Sequence, residues 1–356
     1  MTRPLPRRSD VTRATGLTLV DVLVGIAISV IAIAVVHRAF VAIGELRRSA
    51  SARADAEQTA SFVASMLATA AGSAGAGISA AARHLDSCPV STDIATTQRP
   101  IAAMVIDGGG ADRPDVLFVR QVQQSRLAAP AAFAAAAPAG TSFRVQSPDG
   151  FAVGDRVVAI SRTGVCTATE VTGVTTSAPG ITDIAHTAVA VDLPVTSLLL
   201  NLGAASRAST LRFDVASGVL RSTDVLNGDA PVPLASNVVN LKIQYGVDRD
   251  GDGVLDDWAT ATAAEGLDGA SLLAAPRAML DRIVALRIGV IARSEDPDRT
   301  ATDDDRWVLF DCEPPGGSAC PGRLEGTIAA SAAGGFRHRS REIIVPLRNA
   351  LWNRGT

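Results

Sequence analysis

The chain begins with a polar, basic stretch from Met1 to Gly16 and then turns abruptly apolar: Leu17 to Val36 reads LTLVDVLVGIAISVIAIAVV. About 20 apolar residues is the length an α-helix needs to cross the hydrocarbon core of a bilayer. A secretory signal has a shorter apolar core ending in a small-residue cleavage site. Here the run passes directly into a helical pattern, so it reads as an anchor that stays. From His37 to about Ala70 there is no proline, and Phe40, Ile43, Phe62, Met66 and Leu67 recur near helical spacing. Glu45, Arg47, Arg48, Arg53, Asp55 and Glu57 fill positions between them. This pattern predicts one helix from Leu17 to about Ala70, roughly 80 Å long. Residues 17–36 form its membrane or fibre half, and residues 37–70 lay an apolar face on a globular domain. The glycines of Ala71-Gly-Ser-Ala-Gly-Ala-Gly77 end the helix, and residues 71–100 read as a linker.

Beyond residue 100 the period changes from helix to strand. Asp115–Val122, Arg156–Ile160, Thr167–Val174, Leu211–Val215, Val238–Tyr245, Ile283–Ala292 and Glu342–Leu347 are short β-rich runs set off by Gly, Asp, Asn and Pro. Several short strands after one long helix predict an α+β fold, with an antiparallel sheet domain over residues 101–356 packed on the helix. The Ala/Pro-rich stretch Leu127–Gly140 reads as a surface insertion between strands.

Charge orients the anchor. Arg3, Arg7, Arg8 and Arg13 precede the apolar run, which puts the N-terminus in the cytoplasm and the bulk of the chain outside. Charges of both signs are scattered elsewhere and the net charge is -3, so nucleic-acid binding is not predicted. Lys242 is the only lysine among 33 basic residues. Four cysteines, none in a CxxC pair, fit disulfides in an exported protein better than zinc or redox chemistry. The turn formers between Cys312 and Cys320 favour a local bridge there, and Cys88 with Cys166 follows by elimination; the sequence leaves the connectivity open. His37, His84, His186 and His338 are far apart, and there is no HExxH, GxSxG or Walker loop. No catalytic residue is assigned, and an enzyme is not expected.

Asp21 interrupts the apolar run. A carboxylate inside a membrane costs on the order of 3 kcal/mol on insertion scales, which makes it a functional residue with an expected partner. Gly16-Leu17-Thr18-Leu19-Val20-Asp21 resembles the cleavage and methylation signature of type IV prepilins, with Leu17 in place of the common Phe and Asp21 in place of the common Glu. The resemblance implies cleavage after Gly16 by a prepilin peptidase and N-methylation of Leu17. It also implies that Asp21 neutralises the N-terminal amine of a neighbouring subunit, since two charges in an apolar bundle are tolerable when paired. Further segments resemble those of PilW-type minor pilins: Phe151–Val158, Glu170–Val174, Asn240–Asp248, Val284–Arg293 and Val345–Asn349. The likeness runs from leader to C-terminus, with insertions. It implies a pilin-like fold and an inner-membrane precursor with a periplasmic C-terminal domain, later built into a fibre. Other pilins, the peptidase and an inner-membrane assembly platform are the implied partners.

Asp248-Arg-Asp250-Gly-Asp252-Gly-Val254-Leu-Asp256-Asp257 places carboxylates at positions 1, 3, 5 and 9 of a calcium loop, with glycine at 6 and the Val254 carbonyl as a further ligand. Position 12 is Ala259, so the usual bidentate acid is missing unless Asp257 or a distant residue replaces it. A loop without flanking helices predicts weak, extracellular-type calcium binding.

Three functions follow from these patterns. The first, implied by the resemblance, is a minor pilin that primes or caps a type IV pilus for adhesion, twitching or DNA uptake. The second reading is a J-type minor pseudopilin of type II secretion, and the third a membrane-tethered, calcium-dependent binding protein.

Overall fold

The computed structural model describes residues 19–78, 82–90, 93–94, 97–122, 130–147, 150–297, 306–311, 322–328 and 334–351. The chain divides into two compact units, Met1–Ser51 and Ala52–Thr356.

Among its described residues the first unit is helix alone. The helix, α1, runs Leu19–Gly72, and no residue from Leu19 to Ser51 is buried. It is long and apolar enough to cross a membrane. Beyond its end, glycines at positive φ, Gly75 and Gly77, turn the chain away at little steric cost.

In the second unit, α1 continues from Ala52 and buries Ala52, Ala56, Ala60, Val63, Ala64, Leu67 and Ala71. These positions fall three and four apart, one stripe of a 3.6-residue helix. Most are alanine, which lets the helix backbone approach its partners closely. Val63, Ala64, Leu67 and Ala71 share one core with Leu117, Val119, Leu241, Ile243, Tyr245, Leu286 and Ile288.

The strands of this unit are numbered in chain order. A five-stranded antiparallel sheet contains β1 (Ala103–Ile106), β2 (Val116–Val122), β9 (Ala208–Ala216), β10 (Val219–Asp224) and β11 (Val232–Ser236), in that order across the sheet. Between β2 and β9 the chain builds a closed antiparallel barrel, from β3 (Ala131–Phe133), β4 (Gly140–Gln146), β5 (Asp155–Ile160), β6 (Cys166–Ala178), β7 (Ile181–Val189) and β8 (Leu198–Ala204). Its strands neighbour one another in the order β3-β4-β7-β6-β5-β8. A second, four-stranded sheet is ordered β13 (Asp257–Thr260), β12 (Val238–Val247), β14 (Ile283–Arg293) and β17 (His338–Pro346), and β15 (Arg306–Leu309) pairs with β16 (Leu324–Thr327). The fold is α+β and, in its sheets, antiparallel.

Two expectations change. The described part of the stretch Leu127–Gly140, from residue 130 on, is not a bare surface insertion: Ala131, Phe133 and Ala137 are buried in the barrel core with Phe143, Val157, Ile184 and Leu199. Alanine supplies little local strand preference, and here closure of the barrel decides the conformation. Residues 71–100, expected as a linker, include the short helix α2 (Ala82–Leu85) and bury Ile78, Leu85, Cys88 and Ile94. Ile78, Leu85 and Cys88 pack with Val122, Val158, Ile160, Leu200 and Ala208, sealing the seam where the barrel joins the five-stranded sheet. A disulfide locks that seam. Cys88 and Cys166, 78 positions apart in sequence, are bonded with 5.4 Å between their Cα atoms. In the chain-entropy picture a loop of that length is worth about 4 kcal/mol. The other predicted pair, Cys312 and Cys320, lies outside the described residues.

Candidate assembly helix and calcium-type loop

Gly16 and Leu17, the predicted cleavage and methylation positions, lie outside the described residues. Asp21 is exposed in the first turn of α1, where the partial positive charge of a helix N-terminus favours a carboxylate. Around and beyond it Val20, Leu23, Ile26, Ile28, Ile31, Ile33 and Phe40 are all more than half exposed. Among the described residues such a run collects little burial energy; at about 1.5–3 kcal/mol per large apolar side chain, the incentive to cover it is large.

The acid loop joins β12 to β13, and backbone needs shape it. Asp248 is fully buried at the end of β12. Its carboxylate accepts N–H bonds from Gly251 (2.6 Å) and Gly253 (2.9 Å). Both glycines have positive φ, 86° and 92°, which is why the loop carries glycine there. Asp250 accepts from the Asp252 N–H and Asp252 from the Val254 N–H, and Asp256 accepts from the Arg249 N–H at 2.7 Å.

Of the five predicted calcium ligands, Asp248, Asp250 and Asp256 converge, with ligand oxygens all within 4.8 Å of one another. Asp252 and Val254 are not part of that group. Nor is Asp257 the substitute for the missing acid at position 12: Arg249 holds its carboxylate at 2.8 Å and keeps it below the usual carboxylate range. Ala259 at position 12 is buried in β13 opposite Tyr245. Three hard oxygen ligands from one loop suit Ca²⁺, which needs six to eight oxygens, so waters and carbonyls would have to complete the sphere. Three acids and the glycines between them fit such an ion, without the bidentate ligand that makes binding tight.

Sequence reasoning missed one buried charge pair. Lys242 of β12 and Asp115, just before β2, are both buried and meet at 2.8 Å. The lone lysine was the available signal; its partner, 127 residues earlier, was not visible.

Residues 215–349, the chain from the end of β9 to beyond β17, match the family model described as type IV pilus-assembly protein W. No curated protein and no solved structure matches the chain. The matched segment contains the acid loop and the whole four-stranded sheet, and it relates this part of the chain to a pilus-assembly family.

Proposed function

We propose that the protein is a minor pilin, made as an inner-membrane precursor with its N-terminus in the cytoplasm and its C-terminal unit in the periplasm. The observation that carries this reading is the match of residues 215–349 to the pilus-assembly family in a chain whose N-terminal helix exposes an apolar run. A peptidase cuts after Gly16 and methylates Leu17, and the apolar run packs among the helices of other pilins on an assembly platform. Asp21 then meets the new N-terminal amine of a neighbour, the partner an acid in an apolar bundle requires. In this role the protein primes or caps a type IV pilus, and it does no catalysis of its own. The alternative, a J-type pseudopilin of type II secretion, would share the leader and a similar final strand, and deletion separates the two: loss of pili with secretion intact favours the pilus.

The experiment that tests the assembly role is Asp21→Ala in the native host. The variant is expected to be processed normally but absent from sheared fibres; wild-type levels in the fibre fraction would defeat the pairing role.

The loop at 248–257 binds calcium weakly in this proposal, through Asp248, Asp250 and Asp256, with Asp252 and the Val254 carbonyl recruited on binding. The support is the convergence of three carboxylates, which repel one another unless a cation neutralises them.

A further inference from the structure

The Lys242–Asp115 pair has the geometry of a reaction as well as of a salt bridge. Lys242 is 3% exposed and Asp115 4%, and the residues belong to different layers: Lys242 lies in β12 of the four-stranded sheet, and Asp115 leads into β2 of the five-stranded sheet. The Asp115 N–H donates to the Leu241 carbonyl at 2.8 Å, so the two backbones are already fixed against each other. Lys242 Nζ donates to Asp115 Oδ1 at 2.8 Å and to the Gly110 carbonyl at 2.8 Å. The Ile243 N–H donates to Asp115 Oδ2 at 2.8 Å and the Gly108 N–H to Oδ1 at 3.1 Å. A second carboxylate, Asp107, stands 4.0 Å from Nζ.

The residue choice is informative. Apart from Lys242, every Lys or Arg position of this chain is arginine, including Arg212 and Arg221, which pair with the buried Asp214. Arginine makes the better-anchored ion pair but stays protonated, whereas a lysine amine is a nucleophile once it has lost its proton. The single exception therefore sits where an amine faces a carboxyl group. Burial pushes the Asp115 carboxyl up from its ordinary range, against the opposing pull of Lys242 and the backbone donors. That favours the neutral acid, the form of a carboxyl group that an amine can attack.

We propose that Lys242 and Asp115 condense into an intramolecular amide that welds the two sheets of the folded unit together. A proton passes from the Nζ ammonium to Oδ1 along their hydrogen bond, leaving an amine and a carboxylic acid. The Nζ lone pair attacks Cγ, and the charge that develops on Oδ2 is held by the Ile243 N–H, the role of an oxyanion donor. The amine gives up a second proton, relayed by the Asp107 carboxylate to Oδ1, which leaves as water. One N–C bond forms, one C–O bond breaks, and one water is the only other product, so no co-reactant is needed. Asp107 acts here as a proton relay. Folding supplies the rest of the catalysis, because two groups fixed in contact in a dry site react as if at very high concentration.

The test is mass spectrometry of the full chain from native membranes, denatured, reduced and digested with trypsin. Arg99 and Arg113 precede proline and resist cleavage, so Asp115 lies in a peptide spanning 84–120. An acylated Lys242 also resists cleavage, so the expected product is that peptide joined to 222–249, lighter than their sum by one water. Fragmentation should place the bond between Lys242 and Asp115. Separate peptides 84–120 and 222–242, each at full mass, would overturn the proposal, and a bond mapped to Asp107 would overturn the choice of Asp115. Asp107→Asn should leave a measurable unlinked fraction in folded protein; full linkage in that variant would remove Asp107 from the mechanism. Lys242→Arg keeps the charge and cannot form the link, so it should give the unlinked peptides and a lower melting temperature.

Discussion

The two halves of α1 contrast in a way hydropathy alone would invert. From Leu19 to Val36 the helix is rich in Leu, Ile and Val, yet Leu19 is 78% exposed and Ile33 68%. From Ala52 to Ala71 the inward stripe is mostly alanine, and Leu67 is fully buried. Among the described residues the greasier half is left exposed, while the milder half supplies core. A helix that must pack closely on a sheet wants small residues spaced three and four apart, whereas one that meets lipid or other helices wants bulk all round. The difference sets the halves apart: one is covered by the protein's own core, and the other is long and apolar enough to cross a membrane.

The sharpest way to break this comparison is Asp21→Ala, expected to abolish incorporation into fibres while leaving the melting temperature of the 52–356 unit unchanged. A large drop in melting temperature would mean that the first half supports the fold after all. Next in size is a matched pair of truncations. Leu67→Ala should cost about 2–5 kcal/mol, the range for emptying a buried leucine site. Leu46→Ala, at a position 71% exposed, should change stability by less than about 0.5 kcal/mol. Denaturant titration of both variants in detergent checks this, and equal effects would erase the contrast.

Calcium comes third. Millimolar Ca²⁺ should raise the melting temperature of the full chain by a few degrees, as a weakly bound ion does by mass action. Asp250→Ala with Asp256→Ala should abolish the shift. An unchanged shift in that variant, or none in the wild type, rejects the loop as a calcium site.

The smallest effect is a pH dependence in the barrel. His186 is buried and stacked on Phe143 with 3.7 Å between ring centroids, and burial lowers its pKa from the ordinary histidine value. The unfolded chain therefore takes up a proton on His186 before the folded chain does. Stability from this residue is complete above about pH 6.5 and falls as the pH drops below that value. His186→Phe should flatten the stability profile as the pH falls below about 6.5; an unchanged slope would show that other groups set it.

The elements legible in the sequence were those whose residues speak locally. β14 is a nearly continuous apolar run because both its faces are covered, β12 alternates Leu241, Ile243 and Tyr245 with Asn240, Lys242 and Gln244, and α1 announces itself by length and by the absence of proline. The barrel was not legible as a barrel. β3 is Ala131-Ala-Phe133, and β7 mixes Ile184 with Thr182, Asp183 and His186, so neither reads as a strand alone. What holds them is six-strand closure, which no local window contains. The acid loop was legible as a spacing but not as a geometry: Arg249 takes Asp257 out of the ligand set. The buried Lys242–Asp115 contact shows the same limit, since composition marks the lysine and only the fold brings its partner.

The most direct test of the minor-pilin account is the mass of the N-terminal peptide from membranes of the native host. The account predicts a peptide that begins at Leu17 and is heavier by one methyl group. An intact Met1–Gly16 leader, in cells whose peptidase processes other pilins, would contradict it and leave an ordinary membrane-anchored protein.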